Sequence, residues 1–172
     1  DFTRILADEA FRRVLLQHGA RAEDQIRKLP MVWSGGCDGV ITPHANVFAR
    51  NDKTGPLDQS RLSIGVAMSP EILPEDIGRL AMVEKVAEGV GAAMEDAGID
   101  DPGDVHYVQT KTPLLTIDSI AAAESRGRGA VCDVHESMGV SNGTAALGIA
   151  LGLGEVTDAK AEDICKNLDL YS

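Results

Sequence analysis

A chain of 172 residues with 44% apolar content is long enough for one compact domain, or for most of two small ones. Its 27 acidic and 16 basic residues give a net charge of -11, which opposes condensation onto a phosphate backbone or an anionic membrane face, so neither nucleic acid nor membrane is an expected partner. No apolar run approaches the roughly 20 residues that span a bilayer, and the start at Asp1 shows no basic-then-apolar leader, so a cytoplasmic protein is expected. With only 3% aromatic residues and 18 glycines, the core must be built from small and aliphatic side chains close to the backbone.

Residues 2–16 place Ile5, Leu6, Ala10 and Val14 at helical spacing with Arg12 and Arg13 outside, and Gly19 stands where that helix should stop. Residues 31–33 read as a short strand running into the glycine cluster Ser34-Gly35-Gly36-Cys37-Asp38-Gly39, which forces a turn. Residues 40–48 are interrupted by Pro43, residues 51–59 are a polar loop, and residues 62–68 alternate as a strand does. Pro74-Glu75-Asp76 predicts the acidic first turn of a long helix ending near Ala97-Gly98. After the Asp100-Asp101-Pro102-Gly103 turn, residues 105–111 read as a strand with Val105, Tyr107, Gln109 and Lys111 on one face. Residues 117–126 predict a helix, 130–134 a strand, 139–143 a glycine-containing turn, 144–153 a helix and 160–167 another. Strands alternating with helices give an α/β or α+β class. An offset of 138 aligns residues 4–16 with 142–154, matching Ala7 with Ala145, a weak sign of an internal repeat.

Two segments carry candidate chemistry. Ser34 beside Gly35 and Gly36 offers a hydroxyl and unobstructed backbone N–H groups to a ligand carbonyl, as an oxyanion hole requires, although the same triplet serves as a plain turn. Lys111 closes an apolar strand, where partial desolvation would lower its pKa and suit it to act as base for a serine; the alternative is a lysine snorkelling at a strand end. His18, His44, His106 and His135 lack metal-ligand spacing, and Asp133 with His135 reads as a surface pair, so no metal is expected. No phosphate-binding glycine motif is present and no cofactor is expected. Glycines in residues 139–154 suit close helix packing. Cys37, Cys132 and Cys165 lack CxxC spacing and read as reduced core or loop thiols.

Four segments together resemble the ring-opening amidohydrolases, the family of cyanuric acid hydrolase and barbiturase. They are Asp1-Phe2-Thr3-Arg4, the run from Trp33-Ser34-Gly35-Gly36 to Pro43-His44, the run from Val105-His106-Tyr107 through Thr110-Lys111-Thr112-Pro113 to Thr116, and Met138-Gly139-Val140-Ser141-Asn142-Gly143-Thr144 with the residues to Gly148. Their order fits along the whole 172 residues. The resemblance implies related α/β modules around a pseudo-threefold axis, each contributing a serine, a lysine and an arginine-type contact to a small cyclic substrate. By similarity, residues 1–70 form the later part of the first module, 71–103 a connecting helix and turn, and 104–172 the early part of the second. The third module is not expected in this chain, and a homo-oligomer is.

What the resemblance implies for individual residues is specific. Ser34 with Gly35 corresponds to the first module's carbonyl-binding serine and backbone N–H, and Arg4 to that module's arginine. Lys111 corresponds to the base of a Ser-Lys dyad whose nucleophilic serine is expected beyond residue 172. Asn142 stands where the cyanuric acid enzymes carry arginine, which removes a fixed charge and a bidentate fork. The expected activity is hydrolytic ring opening of a cyclic amide, with barbituric acid preferred over cyanuric acid. The alternative is a non-catalytic small-molecule binder of the same fold, which the change at Asn142 would favour.

Overall fold

The computed structural model describes residues 2–19, 21–33, 44–50 and 62–165, and the chain divides into two units, Asp1–Gly55 and Pro56–Ser172. In the first unit, α1 (Phe2–His18) is followed by the single-turn helix α2 (Glu23–Arg27). As expected, α1 ends at Gly19, whose N–H reaches the Leu15 carbonyl at 2.7 Å. The face it packs is not the one expected. No residue of α1 is buried, and Ile5, Leu6 and Val14 are exposed, whereas Arg12 turns inward. Its Nη1 donates to the Ile26 carbonyl at 2.6 Å and to that of Arg27 at 3.2 Å, supplying donors to carbonyls that the end of α2 leaves without intrahelical partners. The guanidinium thus links two helices within this unit. Ile26 is the buried residue of α2.

The second unit is organised around α3 (Leu80–Ala97) and α5 (Ser137–Gly152), which pack directly against each other, with α4 (Ile117–Ser125) between them in sequence. Ile77, Met82, Val86, Val90, Leu115 and Ala145 form one apolar cluster, and Val83, Leu147, Ala150, Val156 and Ile164 form a second. A Cβ at Gly148 would lie 2.6 Å from the Val86 Cβ and 2.8 Å from the Val83 carbonyl, and one at Gly152 would lie 2.8 Å from the Val90 Cβ. One helical turn apart, these two glycines let the backbones of α3 and α5 approach to a distance that any side chain would forbid. The close packing expected of the glycine-rich segment is therefore present.

Two helix boundaries differ from expectation. The predicted helix from Pro74 is interrupted: Pro74–Asp76 forms a single tight turn closed by the Asp76 carboxylate on the Leu73 N–H (2.8 Å), and Gly78, at φ 80, redirects the chain before α3 starts. A positive φ cannot continue a right-handed helix. Conversely, the predicted turn at residues 139–143 is helical and belongs to α5. Each glycine costs about 1 kcal/mol against alanine in a helix, but α5 buries Ser137, Ser141, Thr144, Ala145, Leu147, Gly148 and Ala150, and tertiary packing overrides propensity. The segment from residue 160 forms the short turn Ala161–Asp163, and residues 166–172 lie outside the described ones.

No strand is formed among the described residues, so the strands expected at 31–33, 62–68, 105–111 and 130–134 are not observed and the α/β class is not reproduced there. A strand exists only through a ladder with a neighbour, and two of these segments are held by side-chain hydrogen bonds instead. The Val66 N–H donates to the Asp96 carboxylate at 2.9 Å, and the Ser63 hydroxyl donates to the Ala97 carbonyl, so residues 62–68 are fastened to the end of α3. The Asp133 carboxylate accepts the N–H groups of His135 (2.8 Å) and Glu136 (2.9 Å), which makes a turn leading into α5. These bonds hold the Asp133 carboxyl below its usual range, and Asp133 and His135 are not a strand-face pair. Cys132 packs against the first apolar cluster, and burial pushes its thiol pKa up. Cys37 lies outside the described residues. The segments aligned by the offset of 138 are both helical in their matching parts, yet α5 is largely buried while α1 buries nothing.

Candidate functional site

Lys111 lies on an extended segment, residues 105–116, that is fastened at both ends. At the start, the Val105 N–H donates to the Pro102 carbonyl at 3.0 Å, and Val108 packs against the first apolar cluster. At the far end Leu115 is 2% exposed, and Thr116 caps α4 in a reciprocal pair: its hydroxyl accepts the Ser119 N–H at 3.1 Å while the Ser119 hydroxyl accepts the Thr116 N–H at 2.8 Å. Between these anchors Lys111 is exposed, and Tyr107, expected to share its face, is 79% exposed. The residue that meets the core is Val108, of the opposite parity. The expected desolvation of Lys111 by its own strand face is therefore not found in this structure.

Asn142 is exposed on α5. Its chain neighbour Ser141 is fully buried, and the Ser141 Oγ donates to the Pro113 carbonyl at 2.9 Å. One hydrogen bond thereby ties the segment carrying Lys111 to the helix carrying Asn142. Ser141 was not singled out in the sequence. Its signal is the run of small residues Ser141, Thr144, Ala145 and Gly148 at three- and four-residue spacing, which marks one packed face of α5. Thr144, equally buried, donates to the Val140 carbonyl at 2.7 Å and so stays within its own helix.

Arg4 lies on α1 in the other unit, exposed, and Ser34 and Gly35 lie outside the described residues. The structure therefore joins the elements bearing Lys111 and Asn142 within the second unit. A groove of about 360 Å³ runs between Val105–Val108 and the second half of α5, with Ala146, Ile149 and Leu153 among its walls. None of the candidate residues lines it. No helix among the described residues is long and apolar enough to cross a membrane.

Over residues 1–172 the chain matches the family described as amidohydrolase ring-opening protein, and it belongs to that family. Among its relatives, barbiturase 1 of a Nocardioides species is 56% identical, the alignment covering 100% of this chain and 48% of the relative. A cyanuric acid amidohydrolase of Rhizobium leguminosarum bv. trifolii is 45% identical, again over 100% of this chain and 48% of the relative. A solved cyanuric acid hydrolase, described as an evolutionary innovation by structural concatenation, superposes with a TM-score of 0.82 at 39% identity, covering 97% of this chain and 48% of that one. The chain thus spans about half the length of the curated relatives it matches.

Proposed function

We propose that the protein to which this chain belongs opens the ring of a cyclic amide by hydrolysis and prefers barbituric acid to cyanuric acid. The observation that carries this reading is the match to two barbiturases at 56% and 55% identity over the whole chain, against 45% for a cyanuric acid amidohydrolase. Asn142 agrees with it. A neutral amide in place of a guanidinium removes a fixed charge and its two parallel donors, which matters most for the ring with the additional N–H group. Barbituric acid has a CH2 where cyanuric acid has one of its NH groups.

In this reading Lys111 is the base of a Ser-Lys dyad whose serine follows residue 172. The free amine of Lys111 takes the serine proton as the serine oxygen bonds to a ring carbonyl carbon. The tetrahedral oxyanion collapses, the ring C–N bond breaks, and the departing nitrogen takes the proton back from Lys111. Water then cleaves the serine ester and releases a ureido acid. A lysine amine is free at neutral pH only where burial or a neighbouring cation disfavours its charge. Because Lys111 is exposed here, that environment is assigned to the substrate and the remainder of the whole protein. Ser34 and the Gly35 N–H would hold a second carbonyl and Arg4 would orient the ring, contributing position rather than bond making. Residues 1–70 and 104–172 are read as parts of two successive modules joined by 71–103.

The test is hydrolysis of barbituric and cyanuric acids by the full-length protein, followed as loss of ring absorbance, with Lys111→Met alongside. Selective loss of barbituric acid that disappears in Lys111→Met is the expected result. Turnover retained by Lys111→Met would remove the dyad from the scheme, and turnover of neither ring by a folded protein would favour the non-catalytic binder.

A further inference from the structure

We infer that Ser141 is a positioning residue for Lys111, an inference that rests on the reading of Lys111 as the base. The hydroxyl of Ser141 is fully buried and bonds to the Pro113 carbonyl, two residues along the chain from Lys111, across 28 positions of sequence. The segment that carries Lys111 has no ladder partner among the described residues. Among the described residues, Val108 and Leu115 anchor this segment in the core, and the Ser141 hydroxyl bonds to it between them. Leu115 fixes depth in the core but, as an apolar contact, fixes direction poorly. The Ser141 bond is directional, and it comes from a helix packed closely against α3 at Gly148 and Gly152.

The packed face of α5 buries three hydroxyls, Ser137, Ser141 and Thr144, and they are used differently. A serine in a helix interior ordinarily returns its hydroxyl to a carbonyl one turn earlier, as Thr144 does to Val140. Ser141 reaches out of its helix instead. Removing its hydroxyl leaves the Pro113 carbonyl without that donor and frees Lys111 to shift relative to Asn142. A displacement of about 1 Å at a reacting group costs up to about 100-fold in rate. The loss falls on kcat, because a base that acts only in the transition state contributes little to holding the substrate.

The experiment uses the full-length protein and compares Ser141→Ala with Thr144→Ala, since each deletes one buried hydroxyl and only the first touches the Lys111 segment. Ser141→Ala is expected to lower kcat by about 10-fold to 100-fold with KM within about twofold, and to displace the acidic limb of the kcat profile, on which a general base is lost by protonation. Thr144→Ala is expected to lower the melting temperature and leave kcat and its pH profile in place. Equal kcat losses in the two variants, or an undiminished kcat in Ser141→Ala, overturn the inference. If Ser141→Ala does not yield folded protein, Ser141→Cys keeps most of the volume with a weaker donor, and an undiminished kcat there overturns it equally. Activity retained by Lys111→Met would instead overturn the dyad reading, so the two failures are distinguishable.

Discussion

The indole Nε1 of Trp33 donates to the Asp8 carboxylate at 3.0 Å, and the same carboxylate receives Arg12 Nε at 2.7 Å. Phe11 tilts against the Trp33 ring at a centroid distance of 5.1 Å. The residue before Ser34 is thus held to α1 by one hydrogen bond and one aromatic contact, and the Arg12 and Trp33 bonds keep the Asp8 carboxyl below its ordinary 3.8.

A depressed carboxylate pKa stabilises the fold above the unfolded value and loses that contribution as pH falls through the folded one. Acidification below 3.8 should therefore release the indole, and Trp33 fluorescence should change in that range. Asp8→Asn keeps an acceptor oxygen but cannot titrate, so it should abolish the acid transition. A transition that persists in Asp8→Asn would place its origin elsewhere.

Glu75 supplies a second acid-sensitive contact. Its carboxylate is 6% exposed and is gripped by Arg126 through Nη2 at 2.6 Å and Nε at 3.2 Å, which holds its pKa below the ordinary 4.5. The stabilisation is complete above 4.5 and declines as pH drops through the lower folded value. Glu75→Gln should lower the urea midpoint near neutrality and flatten its fall on acidification. Parallel curves for the two proteins would show that the pair contributes no pH dependence.

The glycines of the helix pair should respond to alanine in opposite directions. Gly148→Ala and Gly152→Ala drive a Cβ into α3 and should destabilise by about 1 to 3 kcal/mol, the range for overpacking. Gly91, on α3 with nothing within 4 Å of its Cβ position, should become more stable as Gly91→Ala by about 0.5 to 1 kcal/mol. Thermal melts of the three variants check both signs at once.

Asn142→Arg restores the guanidinium that the resemblance associates with cyanuric acid enzymes. The ratio of kcat/KM for cyanuric over barbituric acid should rise by about 10-fold or more, since a bidentate charged contact contributes about 1.5 to 3 kcal/mol. An unchanged ratio would show that ring choice is set by other residues.

Much of the helical framework was legible in the chain. Gly19 and Gly98 end α1 and α3 as punctuation predicts, and Thr116 begins α4. These signals are local, carried by backbone geometry and caps within a few residues. The expected strands are not observed among the described residues: alternation describes a willingness to pair, whereas pairing also needs a partner at the right place. Residues 62–68 and 105–111 alternate well, yet the first is fastened to Asp96 and Ala97, and the second runs on to Pro113, whose carbonyl accepts the Ser141 hydroxyl. The packed face of α1 was misread for a related reason: the apolar stripe was assumed to face inward, but within that unit Arg12 finds carbonyl partners on α2. For the site, Lys111 and Asn142 were visible through family motifs. The bond between their elements was not, because nothing in the sequence pairs position 113 with position 141.

α1 presents Phe2, Ile5, Leu6 and Val14 to solvent, each more than half exposed, on a chain whose net charge is -11. Like-charge repulsion opposes contact between copies at low salt, while an exposed apolar helix face favours contact at short range. Near 0.15 M salt the repulsion is screened beyond about 8 Å, which is shorter than the helix itself. Ionic strength should thus act as a colloidal control on this chain, with light scattering expected to rise as salt is added to a dilute buffer.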